Sequence, residues 1–280
     1  FAIYEIDETI VGARGREEIV RSGIAADPYV IEANGAVWDA LILSGTYIIL
    51  QNGKMQAPGD DILNAEDCNN CVIRDFEVAG PQVNFGNGSA VALGRNFMWL
   101  RGSIHNFGDR DYNAEENDLH GIKTFGPDQW IWEAHIYEVA GDSIQIGDAS
   151  RGEAQRVYVA GGEFHGNREN CLDIKDSRDI VLSGFVCYDQ LNPNDEFGVV
   201  IHDDAFNTSV YDARFSNVNY GILSSGQAGH IFESNDVRAN MVGIQLRNTD
   251  DITVIDNSLS APIPCDNQIN VTGRLQAECQ

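Results

Sequence analysis

The chain has 280 residues, 43% of them hydrophobic, which is enough to bury a full core. Forty-three acidic residues against eighteen basic ones give a formal net charge of −25. A field of this sign repels nucleic acids and anionic membrane surfaces, so neither is expected as a partner. No apolar run approaches the length of a membrane span, and no membrane-spanning segment is expected.

The six cysteines fall into three groups along the chain. They are Cys68 and Cys71 in "DCNNC", Cys171 and Cys187 within one repeat, and Cys265 and Cys279 on either side of a polar tail. The even number predicts three disulfides, although six cysteines allow fifteen pairings. Disulfides persist outside the cytoplasm, so we expect a secreted, extracellular or cell-surface protein, with the periplasm as a further location.

Residues 1–30 are predicted to cap the N-terminal end of the molecule. Within them, "GREEIVRSGIA" (residues 15–25) places its apolar residues at helical spacing. A short amphipathic helix at this position would cover the strand edges of a sheet that follows it.

Residues 31–260 carry a repeat built from two short elements. The first recurs as "HGIKTFG", "DSIQIGD", "CLDIKD", "GVVIHDD", "GILSSG" and "GIQLRN". Its apolar anchors are 22, 28, 27, 23 and 22 residues apart and are Ile122, Ile144, Leu172, Val199, Ile222 and Ile244. A second element, such as "RVYVAGGEF" or "DIVLSGFVC", follows the first in each repeat.

The repeated elements predict the fold class. Each alternates apolar and polar residues, is too short for a helix, and is bounded by Gly, Asn or Asp, as strands are. Strands repeated at such spacing predict stacked coils around a shared interior. We therefore predict an all-β, right-handed parallel β-helix of about eight coils, forming a single domain over residues 1–280. Its tail, residues 261–280, would be closed by a Cys265–Cys279 disulfide.

The longest interruption of the repeat is "HNFGDRDYNAEENDL", residues 105–119. This segment is too polar to line the interior of a coil. We expect it to project as a loop, and loops on a rigid scaffold often carry function.

Stacked repeats place equivalent residues in columns. Relative to the buried anchor, positions +1 and +3 are predicted to face outward, and position +4 to form the turn. Position +1 holds Lys123, Gln145, Asp173, Val200, Leu223 and Gln245; position +3 holds Phe125, Gly147, Lys175, His202, Ser225 and Arg247; position +4 holds Gly126, Asp148, Asp176, Asp203, Gly226 and Asn248. Two of the three lysines therefore share one outer surface.

Lys175 and His202 are the principal candidates for chemistry on this surface. They occupy the same position on adjacent coils, about 5 Å apart by strand spacing. In the simpler alternative Lys175 only neutralises Asp173 and Asp176, a surface pairing that contributes little stability. His202 could likewise be no more than a spacer on an exposed strand.

The acids at position +4 form a column of like charges, which repel one another across neighbouring strands. Either water and salt screen them at the turn, or a cation such as Ca²⁺ binds there.

The coils "DSIQIGD", "NRENCLDIKDS" and "FGVVIHDD" resemble, in this order, those of the right-handed parallel β-helix polysaccharide lyases. The resemblance covers residues 60–260 and is to the group acting on alginate and related uronate polymers, with pectate lyases as more distant kin. It implies a catalytic base at Lys175 and a basic residue on the next coil as the acid, beside calcium-binding acids. His202 matches half of that group's Arg-His pair, whereas Ile201 stands where the arginine would be.

The resemblance implies β-elimination on an anionic, uronic-acid polysaccharide. This reaction needs neutralisation of the C5 carboxylate, a base for the C5 proton and a proton donor for the leaving oxygen. Lys175 would be the base, and His202 the donor. Calcium would neutralise the carboxylate. Its ligands would be Asp148, Asp173, Asp176 and Asp203, and the substrate-binding residues would be Lys123, Gln145 and Arg247.

Two other functions compete with a lyase. A β-helix glycoside hydrolase needs only paired carboxylates, but the acidic motifs "HDD" (202–204) and "NTDD" (248–251) stand in a different order from those of galacturonidases. A non-catalytic carbohydrate-binding or structural solenoid of a surface or filament is the second alternative, because a fold alone does not define a function.

Overall fold

The computed structural model describes residues 4–56, 62–80, 87–109, 118–148, 150–191, 197–268 and 270–279. Almost all of its secondary structure is β. The strands of the N-terminal half are β1 (Glu8–Thr9), β2 (Gly12–Ser22), β3 (Tyr29–Glu32), β4 (Ala36–Thr46), β5 (Ile48–Gln51), β6 (Lys54–Gln56), β7 (Leu63–Ala65), β8 (Cys68–Asn69), β9 (Cys71–Arg74), β10 (Glu77–Ala79), β11 (Asn87–Leu93), β12 (Phe97–Leu100), β13 (Ser103–Phe107), β14 (Asp118–Thr124) and β15 (Pro127–Trp132).

The C-terminal half continues in the same way and ends in a short 3₁₀ helix, Ala277–Cys279. Its strands are β16 (His135–Val139), β17 (Ile144–Ile146), β18 (Ala154–Ala160), β19 (Glu163–His165), β20 (Leu172–Ile174), β21 (Ser177–Ser183), β22 (Val186–Tyr188), β23 (Phe197–Ile201), β24 (Phe206–Tyr211), β25 (Arg214–Ser225), β26 (Ile231–Glu233), β27 (Asp236–Arg247), β28 (Ile252–Ile255), β29 (Ser258–Ser260), β30 (Ile263–Asn267) and β31 (Gly273–Leu275).

These strands stack in parallel as the three walls of a β-helix. Wall A contains twelve strands: β1, β3, β5, β9, β12, β15, β18, β21, β24, β26, β28 and β31. Wall B begins with the first halves of β2 and β4, runs through β6, β10, β13, β16, β19 and β22, then the first halves of β25 and β27, and ends at β29. Wall C begins with the second halves of β2 and β4, runs through β7, β11, β14, β17, β20 and β23, then the second halves of β25 and β27, and ends at β30. The short strand β8 pairs with the end of β4.

The predicted register of wall C is confirmed. Ile122 pairs with Ile144, Ile144 with Leu172, and Leu172 with Val199. The same column continues through Ile222 and Ile244. All six anchors are fully buried, so apolar side chains stacked from coil to coil form the interior.

The number of coils was underestimated at about eight, because wall A alone has twelve strands. Three of these, β1, β3 and β5, precede the first recognisable copy of the second repeated element, "CVIRDFEV" at residues 71–78. They follow the same geometry without the same residue pattern.

The predicted capping helix over residues 15–25 is wrong. The segment lies mostly in β2, and ten residues of β2 pair in parallel with β4. Its apolar spacing does not form a helical stripe: Ile19 is buried in the core, whereas Val20 beside it is exposed. Pairing with β4 satisfies the backbone N–H and C=O groups on one side of β2. The first coil thus covers the edge of the second coil without a helix.

The segment 105–119 is only partly a loop. Residues 105–107 end β13, and 118–119 begin β14, with Leu119 fully buried. Residues 110–117, the centre of the predicted projection, lie outside the described residues.

Three disulfides join the cysteine groups recognised in the sequence: Cys68–Cys71, Cys171–Cys187 and Cys265–Cys279. The last links β30 to the 3₁₀ helix at the C-terminal end of the stack. Across the described ranges, no helix is long and apolar enough to cross a membrane.

The turn that follows wall C explains much of the acidic column. Asp176, Asp203 and Asn248 all have positive φ, at 43°, 51° and 45°. Gly126 and Gly226, at the same position in other coils, are also left-handed. Asp, Asn and Gly tolerate this conformation better than other residues, so the backbone gives a reason for these residue types that involves no metal.

Candidate functional site

A cleft on the outer face of wall C, with a volume of about 270 Å³, gathers titratable side chains from four coils. It lies over β14, β17, β20 and β23. Its lining residues are Asp118, His120, Asp142, Glu169, Asn170, Asp173, Lys175, Phe197, Val200 and His202.

A break in the strand alternation brings two outward columns into this cleft. At position −1, a Cβ on Gly198 would lie 2.2 Å from Phe215 Cδ1, and one on Gly221 would lie 2.3 Å from Val237 Cγ1. Position −1 therefore faces inward, as the anchor does, and position −2 faces outward. Position −2 holds His120, Asp142, Asn170, Phe197 and Tyr220, which adds a column to the outward positions +1 and +3.

Lys175 and His202 meet at one buried carboxylate. Asp173 is only 6% exposed, and its Oδ2 lies 3.1 Å from Lys175 Nζ, while its Oδ1 lies 2.7 Å from His202 Nε2. Burial alone would raise the pKa of Asp173, but the hydrogen bond from His202 and the charge of Lys175 hold it below its usual value.

The same contacts favour the protonated forms of both basic groups. The hydrogen bond to Asp173 raises the pKa of His202 against the opposing effect of burial. Burial lowers the pKa of Lys175, yet Asp173 outweighs it and leaves the pKa raised. The cleft therefore places the Lys175 ammonium group and a histidine whose cationic form is favoured on the same carboxylate.

A second group in the cleft is centred on His120, which is only 1% exposed. Its Nε2 lies 3.0 Å from Asp118 Oδ1, and its Nδ1 lies 3.0 Å from Asp142 Oδ2. Burial favours the neutral ring, but the two carboxylates raise the pKa of His120 to about 9. The backbone N–H and side-chain amide of Asn170 donate to Asp142 Oδ1 at 3.0 and 2.8 Å, which fixes that carboxylate.

Glu169 completes this second group. Burial and the charges of Asp142 and Asp118 raise the pKa of Glu169 to about 8. One ligand atom each from Asp118, His120 and Glu169 lies within 4.8 Å of the others, close enough to hold an ion. His120 lies between the carboxylates of Asp118 and Asp142, so the group already contains a basic side chain among its acids.

The other predicted substrate-binding residues lie on wall C but outside the cleft. Lys123, Gln145 and Asp173 are paired neighbours in one column. Burial lowers the pKa of Lys123. Arg247 donates to Gln245 Oε1 at 2.8 Å, and its strand lies two coils beyond that of His202, about 10 Å away by strand spacing.

The predicted calcium ligands do not converge. Asp148 accepts hydrogen bonds from the backbone and hydroxyl of Ser150, and Asp203 Oδ2 contacts His202 Nδ1 at 3.1 Å. Asp173 is occupied by its two cationic partners. Within the described ranges, the predicted set of Asp148, Asp173, Asp176 and Asp203 does not form a group of ligand atoms within 4.8 Å. Calcium binding there stays a prediction.

The sequence columns missed Asp118, His120, Asp142, Glu169 and Asn170. Reading outward positions only from the anchor onward left position −2 unexamined. A signal for three of them is present in the sequence, because His120, Asp142 and Asn170 each precede a buried anchor by two residues.

Comparisons with known proteins show the fold and leave the family open. No known family profile matches the chain, and no curated protein sequence matches it. Among solved structures, the chain is similar to a mannuronic acid-specific polysaccharide family 6 lyase from the human gut microbiota, with a TM-score of 0.72, 15% identity, and 96% of this chain and 71% of that chain covered.

Two further solved structures share the fold. The A-module of a mannuronan C-5 epimerase from Azotobacter vinelandii has a TM-score of 0.56 and 13% identity, with 95% of this chain and 90% of that one covered. PfbA, a surface adhesin of Streptococcus pneumoniae, has a TM-score of 0.60 and 10% identity, with 92% and 84% covered. The chain is thus a parallel β-helix protein of the architecture that carbohydrate-active enzymes and adhesins share.

Proposed function

We propose that this protein is a secreted polysaccharide lyase that cleaves a uronic-acid polysaccharide by β-elimination. The observation that carries the proposal is the contact of Lys175 and His202, from adjacent coils, with the buried Asp173 in a cleft on wall C. The likeness to a mannuronic acid-specific lyase and to a mannuronan epimerase supports a uronate substrate. Three disulfides support a location outside the cytoplasm.

The pKa shifts of the cleft residues suggest a separate role for each residue in the elimination. Lys175 and the protonated form of His202 would neutralise the uronate carboxylate and so acidify the C5 proton. The raised pKa of Lys175 disfavours the role of base that the resemblance implied. Glu169, with a pKa of about 8, is a stronger base than an ordinary carboxylate and would accept the C5 proton.

Elimination then follows from proton transfer alone. As Glu169 takes the C5 proton, a double bond forms between C4 and C5, and the bond from C4 to the glycosidic oxygen breaks. His202 would donate its proton to that oxygen, which leaves as a hydroxyl group. Lys123, Gln145 and Arg247 would contact neighbouring sugar units along wall C.

Epimerisation at C5 is the second candidate, because it begins with the same proton abstraction. The similarity to the epimerase A-module favours it. In that case a proton returns to the opposite face of C5, and the chain stays intact. The two reactions differ only in whether the leaving oxygen is protonated before C5.

Non-catalytic binding is favoured by the similarity to the adhesin PfbA. A glycoside hydrolase has less support, because the acidic motifs "HDD" (202–204) and "NTDD" (248–251) stand in a different order from those of galacturonidases.

One assay separates these functions. The protein is incubated with polymannuronate, polyguluronate and polygalacturonate in D₂O, with and without a chelator. A lyase gives ultraviolet-absorbing unsaturated ends; an epimerase gives deuterium at C5 of uncleaved polymer; a hydrolase gives reducing ends without absorbance. Binding without any of these products would overturn the enzymatic proposal and favour the adhesin-like function.

A further inference from the structure

Wall B carries a second cluster of ionisable side chains that the proposed function does not use. His135 on β16 pairs with Glu163 on β19, and Tyr137 pairs with His165 two residues along. His135 Nε2 lies 3.2 Å from His165 Nε2 and 3.8 Å from Glu163 Oε2. One ligand atom from each of the three side chains lies within 4.8 Å of the others.

We propose that His135, Glu163 and His165 form a binding site for a borderline divalent transition-metal ion such as Zn²⁺. Imidazole nitrogens and a carboxylate are ligands that zinc uses, whereas calcium takes oxygen ligands. Ligands about 2.1 Å from a tetrahedral ion lie roughly 3.4 Å apart. The observed separations of 3.2 and 3.8 Å lie on either side of that value.

The surrounding rings hold the ligands in this arrangement. His105, Tyr137, His165 and Tyr188 form an aromatic ladder, with centroids 4.6–5.1 Å apart and ring planes within 10° of parallel. His165 is stacked between Tyr137 and Tyr188, and His135 packs against Tyr137 at 4.6 Å. Stacking on both faces opposes rotation of the His165 ring about its Cβ–Cγ bond, so its Nε2 stays directed at His135.

A hydrogen bond orients the carboxylate. The Tyr188 hydroxyl donates to Glu163 Oε1, which leaves Oε2 directed toward His135. Metal-binding carboxylates and imidazoles are commonly held by such outer partners, and loss of one weakens metal affinity about 10- to 100-fold.

The site is open to solvent. The side chains of His135 and Glu163 are 45% and 46% exposed, so an ion can enter without rearrangement of the wall. Three protein ligands leave a fourth tetrahedral position for water or for a ligand atom of another molecule. Two ligands come from β19 and one from β16, so the ion would also link adjacent coils.

Zinc binding to the chelator-treated full chain tests the proposal. Isothermal titration with Zn²⁺ should show one saturable site, and excess Zn²⁺ should raise the melting temperature. His135→Gln and His165→Gln should abolish that site, and Tyr188→Phe should weaken it about 10- to 100-fold. Co²⁺ in place of zinc should give the visible absorption of a tetrahedral ion.

Matched controls make the result specific. His105→Gln changes a histidine of the same aromatic ladder that is not a proposed ligand, and His120→Gln changes the histidine of the wall C cleft. Both should retain the wild-type stoichiometry, and circular dichroism should show that every variant is folded. The proposal is overturned if the wild type shows no saturable zinc binding, or if both ligand variants bind zinc as the wild type does.

Discussion

At the scale of single residues, the cleft is built around buried charge that its neighbours compensate. A carboxylate as buried as Asp173 is unfavourable unless it is paired and hydrogen-bonded. Lys175 and His202 supply the pairing from two coils. Removing one partner therefore affects stability as well as chemistry, and the two effects must be separated.

Replacement of Lys175 by Met should lower kcat/KM on the uronate substrate by roughly 10²- to 10⁴-fold, because a cation in contact with the carboxylate is lost. Stability should also fall, because Asp173 retains a single cationic partner. The double variant Asp173→Asn, Lys175→Met also removes the buried carboxylate that has lost one of its two cationic partners, and should recover part of the stability without recovering activity. Lys54→Met, which alters a surface pair with Glu77 on wall B, is the matched control; wild-type turnover in the Lys175 variant would exclude Lys175 from the reaction.

The rate should depend on the ionisation of Glu169. Its pKa of about 8 means that the carboxylate form, which accepts a proton, increases as the pH rises through that value. We expect kcat/KM in a pH–rate profile to rise as the pH approaches about 8 and to fall at higher pH, because His202 then loses the proton that it would donate. Glu169→Gln should abolish turnover, whereas a variant that keeps the wild-type profile would show that another group is the base.

At the scale of the strand, the bend before each anchor positions the site. Two successive residues face the interior, so the residue before them, at position −2, turns outward beside +1 and +3. Space inside the coil permits only a small side chain at position −1, where Gly121, Ser143, Cys171, Gly198, Gly221 and Gly243 occur. The bend therefore depends on small residues that take no part in the chemistry.

Gly221→Ala should destabilise the fold by about 1–3 kcal/mol, as overpacking of a core does. The added Cβ would lie 2.3 Å from Val237 Cγ1 and 2.4 Å from the Gly243 carbonyl oxygen. Gly15→Ala is the control, since a Cβ there meets nothing within 4 Å. Urea denaturation of both variants measures the difference; equal stabilities would mean that the interior has room at position −1.

At the scale of the whole molecule, a chain with a net charge of −25 is proposed to bind a polyanion. The cations of the cleft act over a few ångströms, whereas the acidic surface repels the polymer over the Debye length. The two effects respond oppositely to salt.

Moderate salt should therefore increase kcat/KM. Raising the ionic strength from 0.01 to 0.15 M shortens the Debye length from about 30 to about 8 Å. This change weakens the long-range repulsion between protein and polymer more than it weakens the short contacts in the cleft. Initial rates measured below KM across this range test the expectation. A steady decrease with salt would show that local attraction by Lys175 and His202 dominates instead.

Much of the fold was predictable because the anchors of wall C repeat at a spacing that only stacked coils explain. The register of the repeat alone places Lys175 and His202 at the same position of adjacent coils. The first coils were not predictable in this way, because residues 15–25 satisfy a helical spacing and a strand pairing equally well. Long-range pairing with β4 decided between them, and that information is not local.

The site was predictable only in part, because strict alternation was assumed along each strand. The inward bend at position −1 concealed His120 and Asp142. The acidic column was recognised, but its residue types have a backbone cause in the left-handed turn at Asp176 and Asp203. The same residue type at one position of successive coils can therefore be required by the backbone conformation as well as by a ligand.

The in-register pairing of wall C also has a consequence for engineering. Each coil contacts only its two neighbours, so a duplicated coil of 22 residues, such as the one between Ile222 and Ile244, would find matching partners above and below. The cleft would then keep its own chemistry while the surface beyond it grew by a single strand spacing. Insertion of whole coils in this way offers a route to proteins that bind longer segments of a polysaccharide.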